Sequence, residues 1–359
     1  MRLDRRHLLG LIGSLGACGL NFPDMIGRAV AARRMTDSAG RAVPVPDRVG
    51  KVFPAGPPAS IFLYMMAPDL MAGWTRPLRG AERAGIPEKY HDLPTTGRLT
   101  GRGGSANLET VMAMRPDLIL DYGSIKPIYI SLADRVQDQT GIPYALIDGR
   151  FDNIPTSFMT VGDLIGRPER GRACAAKAQA IIDELSRARA AILAASRPRV
   201  YYGRGADGLQ TGLKGSINIE LLSYAGAVNV AAEAGEGGLT QVSLEQVLGW
   251  DPDVVLTTDP NFFDLIWTHD VWKTLRAVKD GRVYLSPTIP WGWFDRPPSA
   301  NRLIGLHWLL AVLYPDRFLA DLPDRARDFY TFFYHSDLDA DRLAKVLGPG
   351  SHPGNPRRG

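Results

Sequence analysis

The sequence predicts an α/β protein of two similar lobes joined by one long α-helix, with a ligand cleft between the lobes. Three observations lead there. Asn107-Leu-Glu-Thr-Val-Met-Ala-Met-Arg-Pro-Asp-Leu-Ile-Leu-Asp-Tyr-Gly123 recurs loosely as Ser243-Leu-Glu-Gln-Val-Leu-Gly-Trp-Asp-Pro-Asp-Val-Val-Leu-Thr-Thr-Asp259, offset by 136 positions. So long a period marks a duplicated lobe rather than a solenoid unit. Residues 169–196 hold no proline and no glycine after Gly171, and Ile181, Leu185, Ala188 and Ile192 keep helical spacing. Such a helix of about 28 residues would run about 42 Å, enough for a spine between two lobes. Finally, 359 residues at 45% hydrophobic and 22% charged suit two globular domains.

The elements follow in order. Residues 35–46 read as a β-hairpin turning at Ser38-Ala-Gly40, and 49–54 as a first strand. A helix begins at Ser60 after the loop Ala55-Gly-Pro-Pro58, and 70–74 reads as a second strand. The first repeat copy gives a helix over 108–114 and a strand over 117–121, followed by a strand over 144–147. Pro198 ends the spine. The second lobe opens with a strand over 199–202 and continues with helices over 217–224 and 244–248 and strands over 253–257 and 283–285. An apolar helix spans 301–313, and the Gly/Pro-rich stretch after Gly348 reads as a disordered tail. The expected domains are an export signal over 1–31, lobes over 32–168 and 198–347, a connecting helix over 169–197, and a tail over 348–359.

The net charge of +4 sits at the ends. Residues 1–31 carry +2, and Arg357 and Arg358 another +2, so the body is neutral and offers no basic face for a nucleic acid. Arg2, Arg5 and Arg6 precede an apolar run over 8–20, too short to span a bilayer and of the size of a signal core. Arg5-Arg6 resembles a twin-arginine signal, with Asp4 where Ser or Thr is usual. Leu15-Gly-Ala-Cys18 resembles a lipobox that would place a lipid on Cys18, whereas Ala29-Val-Ala31 offers an alternative cleavage site. Cys174 lies in an Ala-rich helix as a buried free thiol, so neither a disulfide nor a cysteine metal site is expected.

Ligands of open α/β lobes gather at the carboxyl ends of the strands. That rule nominates the loops containing Arg98, Tyr122, Arg150, Tyr202, Arg204 and Trp291-Gly-Trp293-Phe294-Asp-Arg296. The aromatics Trp291, Trp293 and Phe294 could line a pocket, or instead cap the last helix and fill core. The arginines could pair with an anionic chelate, or serve as surface ion pairs. No two of the six histidines share metal-ligand spacing, and no nucleophile elbow is present. Gly203-Arg-Gly-Ala-Asp-Gly208 has a dinucleotide-loop form but is followed by further glycines instead of a helix.

The chain resembles the periplasmic substrate-binding proteins of iron-siderophore and vitamin B12-type ABC importers, the helical-backbone class. The anchors are Thr36-Asp-x-x-Gly-Arg-x-Val43, Asn107-Leu-Glu109, Pro116-Asp-Leu-Ile-Leu120, the spine helix, Leu244-Glu245, Pro252-Asp-Val-Val-Leu256 and Phe329-Tyr-Thr-Phe-Phe-Tyr-His-Ser-Asp-Leu338. The resemblance implies two Rossmann-like lobes, little hinge motion, a shallow cleft, and docking onto an ABC permease with its ATPase. It places the docking carboxylates on Glu109 and Glu245, which the repeat also sets symmetrically. Glutamate is favoured at a helix N-terminus in any case. The expected function is capture of a ferric chelate by a monomer without catalysis, without a cofactor of its own and without nucleic acid. Haem (with a tyrosine such as Tyr122 as axial ligand), a corrinoid, a molybdate-type oxyanion or another metal complex remain open. So do a two-lobed metallocofactor enzyme and a sensor subunit with no transport role.

Overall fold

The computed structural model describes residues 32–101, 106–190, 192 and 197–353. The export signal, Cys18, the Ala29-Val-Ala31 site, the last turn expected of the spine, and residues 354–359 of the tail lie outside the described residues.

Strands β1 (Ala32–Thr36) and β2 (Ala42–Pro46) form the expected antiparallel hairpin. Its turn is built on Asp37, buried at 4% exposure. One carboxylate oxygen accepts from the backbone N–H groups of Ala39 and Arg41, and the other from the Arg41 side chain and the N–H of Leu146. The Thr-Asp-x-x-Gly-Arg pattern is therefore a buried turn that ties the hairpin to the first sheet.

The first sheet is parallel, in the order β3 (Val52–Pro54), β4 (Leu118–Gly123), β5 (Tyr144–Asp148). The second is also parallel, built from β6 (Arg199–Gly203), β8 (Val228–Asn229), β10 (Val254–Thr257) and β11 (Val283–Leu285) in the order β11-β10-β6-β8. A small antiparallel ribbon pairs β7 (Gln210–Gly212) with β9 (Leu239–Gln241). β4 and β10 are apolar on both faces and almost wholly buried, as parallel strands covered by helices must be.

Helices α1 (Pro57–Met66), α2 (Gly80–Arg83), α3 (Leu108–Met114), α4 (Pro127–Thr140) and α5 (Ile154–Leu164) belong to the first lobe. The spine is α6 (Pro168–Ala190), 23 residues or about 35 Å. It lies so close to α5 that a Cβ added at Gly162 would come within 2.8 Å of the Gly171 Cα. The second lobe carries α7 (Glu220–Tyr224), α8 (Leu244–Trp250), α9 (Pro260–Thr268), α10 (Arg276–Lys279) and α11 (Arg302–Leu313). It closes with α12 (Pro315–Phe318), α13 (Leu322–Phe329), a π-helical turn over Tyr330–Tyr334, and α14 (Ala340–Leu347). No helix of the described residues is long and apolar enough to cross a membrane.

The repeat has a physical meaning. In both copies a side-chain cap opens the helix: Asn107 accepts from Thr110 N–H, and Ser243 from Gln246 N–H. Both helices end on a left-handed residue, Arg115 and Asp251. The aspartate of each Pro-Asp turn then pins the start of the preceding strand. Asp117 accepts from Gly50 and Lys51 N–H, and Asp253 from Arg199 N–H.

Three expectations need correction. Residues 70–74 form no regular strand; Pro68–Leu70 is a 3-10 turn, and only the bridges Met71 to Val52 and Trp74 to Thr95 remain. Helices α4 and α5 went unforeseen because each opens on an X-Pro step that reads as a breaker but here fills the first helical turn. The tail is not free from Gly348 onward, since Gly350 O accepts from Leu285 N–H and Ser351 O from the Trp308 indole at 2.5 Å.

The two lobes share one apolar core, which runs from Val52 and Leu118 through α1 and α6 to Val200, Trp308 and Tyr334. Tyr64 of α1 donates to Tyr334 O at 2.6 Å. Arg170 of α6 donates to Met65 O and Phe332 O, at 2.8 and 2.9 Å.

Candidate functional site

The chain leaves β3 through Pro54-Ala-Gly56 and enters α1 at Pro57, at the carboxyl edge of the first sheet. From the second sheet, β11 feeds the segment 286–301 toward the same place. There Ser299 Oγ donates to Pro58 O at 2.9 Å, joining the lobes. The cleft beside this junction is lined by Pro57, Ser60 and Ile61 of α1, by Trp74, Thr75, Arg76 and Leu78, and by Trp291 and Pro297 from the other lobe. It offers ≈ 40 Å³ to the centre of a water-sized sphere. The recess is small and partly open to solvent.

Its aromatic wall is rigid. Trp291 packs edge-on to Tyr334 and Tyr64 at ring distances of 5.0 and 5.3 Å, and Trp74 lies 5.8 Å away. The Trp74 indole is anchored on Tyr90 O at 2.7 Å. Its polar wall comprises the buried Ser60 and Thr75 and the half-exposed Arg76. Both terminal nitrogens of Arg76 donate to Glu82, at 2.8 and 2.5 Å. This hydrogen bonding holds the guanidinium above its ordinary range, against burial. Glu82 in turn accepts the N–H of Arg79 at 2.8 Å and so caps α2.

Of the nine side chains nominated from the sequence, only Trp291 lines this cleft. Trp293 and Phe294 are core, at 0% and 1% exposure; Trp293 donates to Tyr330 Oη, and Phe294 packs on Tyr202. Tyr202 is itself buried, bonded to Asp295 and Thr258, and burial pushes its hydroxyl far up. Tyr122 is stacked on Phe62 at 4.4 Å and 1% exposed, so it is closed to a haem iron. The arginines are already paired: Arg150 with Asp148 at 2.6 Å, Arg204 with Asp295 at 2.9 Å, and Arg296 with Asp259 at 3.3 Å. Arg98 is half-buried, and its carbonyl accepts from Ala106 N–H. Glu109 and Glu245 are both exposed in the first turn of α3 and α8. The backbone N–H of Glu245 and the Ser243 side chain hold the Glu245 carboxyl below its usual range. The glycines of the 203–208 segment make room for Phe262, which a Cβ at Gly208 would meet at 2.2 Å.

Sequence reasoning missed Ser60, Thr75, Arg76 and Glu82. A signal was present, since Thr75-Arg76 directly follows the apolar 70–74 segment and the strand-end rule could have nominated it. It also missed Arg302, which is fully buried yet charged. Arg302 donates to Gly149 O of the first lobe and to Ile217 O, Ser299 O and Glu220 of the second. Glu220 also accepts from Phe151 N–H at 2.9 Å. Burial pushes the Glu220 carboxyl up, while Arg302 pulls it back.

Comparison with known proteins agrees with this geometry. The sequence profile described as periplasmic binding protein matches residues 81–290. The molybdate-binding protein MolA of Haemophilus influenzae is 28% identical, over 88% of this chain and 95% of its own length. Its molybdate-bound structure superposes with a TM-score of 0.70 at 25% identity, over 86% of this chain and 99% of that one. An ABC transporter solute-binding protein of Sulfurospirillum deleyianum gives a TM-score of 0.78 at 28% identity, over 88% and 99%. The Fe(3+)-citrate-binding protein YfmC of Bacillus subtilis is 26% identical over 54% of this chain and 61% of its own length.

Proposed function

The chain belongs to the periplasmic binding protein family and is a solute-binding protein of an ABC importer, and from that premise we propose that its solute is a molybdate-type oxyanion. The observation that carries this reading is the size and chemistry of the cleft. The recess is small and is walled by two hydroxyls, one guanidinium and two indoles. A tetrahedral oxyanion is small too, and Arg with Ser and Thr is a fitting donor set for it. The near full-length similarity to a molybdate-binding protein supports the same choice. A corrinoid or haem would have to part the Trp74 and Trp291 walls.

A ferric chelate, the solute expected from the resemblance, stays as the second reading. The aromatic wall favours it, and the similarity to a ferric-citrate-binding protein supports it over half the chain. Titration calorimetry of the mature protein with molybdate, tungstate, sulfate and ferric citrate separates the two. Saturable heat with molybdate or tungstate and none with ferric citrate is the expected result. The reverse pattern overturns the oxyanion reading.

The protein acts by binding and release, as a monomer, without chemistry on its solute. Glu109 and Glu245 present one carboxylate per lobe to arginines of the permease, where complementary charge speeds encounter. Residues 1–31 direct export, by the twin-arginine route through Arg5-Arg6, with either a lipid on Cys18 or cleavage after Ala31.

A further inference from the structure

We propose that Glu82 is a built-in counter-ion that competes with the incoming solute for Arg76, and so sets the affinity of the cleft. The inference rests on the oxyanion reading above. Among the described residues, Arg76 is the one charged side chain lining the cleft. Glu82 holds both of its terminal nitrogens, so the pair presents no net charge to an entering anion.

The two partners differ in freedom. Glu82 is 8% exposed and tied by the Arg79 N–H into the cap of α2. The Arg76 side chain is 47% exposed and long. The partner that moves is therefore Arg76. On binding, one guanidinium arm leaves Glu82 for an oxygen of the solute, while the other arm and the Arg79 N–H keep Glu82 satisfied. An anion gains from this exchange only if its oxygens carry enough charge to match a carboxylate, so the pair favours dianions over weakly charged or neutral solutes.

Calorimetry with sodium molybdate at several salt concentrations tests the idea on wild type, Glu82→Gln, Arg76→Gln and the double variant, with thermal unfolding to confirm folding. Glu82→Gln frees the guanidinium, so its affinity for molybdate is expected to rise about 3- to 10-fold, with a steeper loss of affinity as salt is added. Arg76→Gln is expected to bind at least about 10-fold more weakly with a flatter salt dependence, and adding Glu82→Gln to it should give no gain. A folded Glu82→Gln protein that binds equally or more weakly overturns the proposal and makes Glu82 a positioning residue. Should Glu82→Gln not fold, an unchanged affinity or salt slope in Arg76→Gln overturns it equally. Silence of the wild type with molybdate, tungstate and sulfate instead removes the oxyanion reading, and this inference with it.

Discussion

The two copies of the repeat differ little, and that likeness shows what duplication supplied. α3–β4 and α8–β10 share a polar N-cap, an exposed glutamate in the first turn, a left-handed C-cap and an aspartate that pins the neighbouring strand. The cleft, by contrast, is lined from segments outside both copies: 57–61, 74–78 and 291–297. The repeat is frame, and on the proposed reading the solute meets loops that lie outside it, as expected where fold and function separate.

The sharpest test of that division is the pair of glutamates. Reversing both with Glu109→Lys and Glu245→Lys should reduce solute uptake to background in a transport assay while leaving the calorimetric affinity unchanged. Uptake at wild-type level would remove the symmetric docking role from the repeat.

Next in size is a contact outside the repeat. Arg302→Ala leaves the part-buried Glu220 without its cation, and should cost up to about 3–5 kcal/mol. At about 2–4 °C per kcal/mol for a large domain, the melting temperature should drop by roughly 10 °C. Replacing both partners by apolar residues, Arg302→Met with Glu220→Leu, should cost much less. Equal losses in the two variants would mean that the ion pair itself carries the inter-lobe junction.

The frame residues should be weaker and alike. Asp117→Ala and Asp253→Ala each remove hydrogen bonds to a strand start, and each should cost about 1–2 kcal/mol in a denaturant titration. A large disparity would show that the copies have diverged in load as well as in sequence.

The smallest effect near neutral pH is one of protonation, and it grows as pH falls. His307 of α11 is buried, and burial, then Arg325, lowers its pKa from 6.5 to about 3. The unfolded chain takes up a proton below about pH 6.5 that the folded chain refuses until about pH 3, so this histidine erodes stability as pH falls through that window. The slope is at most about 1.4 kcal/mol per pH unit for one proton. His307→Gln should flatten the acid limb of a stability–pH curve and leave the neutral region's slope unchanged.

The frame was legible in the sequence because its signals are local. The short helices, the Pro-Asp turns and the apolar strands each fit in about ten residues, and the 136-residue offset links the two copies. The cleft was legible only by rule. Strand ends pointed to the 291–296 loop, but sequence cannot tell Trp291, which lines the cleft, from Trp293, which donates to Tyr330 in the core. The pairing of the arginines was hidden for a related reason. Arg150, Arg204 and Arg296 sit where an anion could bind, yet their carboxylate partners Asp148, Asp295 and Asp259 either lie two residues away or come from distant loops. Arg302 was invisible because a charged residue in an otherwise apolar helix reads as its solvated edge, whereas its partners arrive from both lobes.

The bond between Tyr64 and the carbonyl of Tyr334 spans 270 positions. During synthesis the first half leaves the ribosome long before its partner exists. At about 5–20 residues per second, those positions take roughly 15–50 s to make. Throughout that interval the aromatic back wall of the cleft lacks Trp291 and Tyr334 and presents apolar surface. The cleft can therefore close only after nearly all of the sequence has been translated.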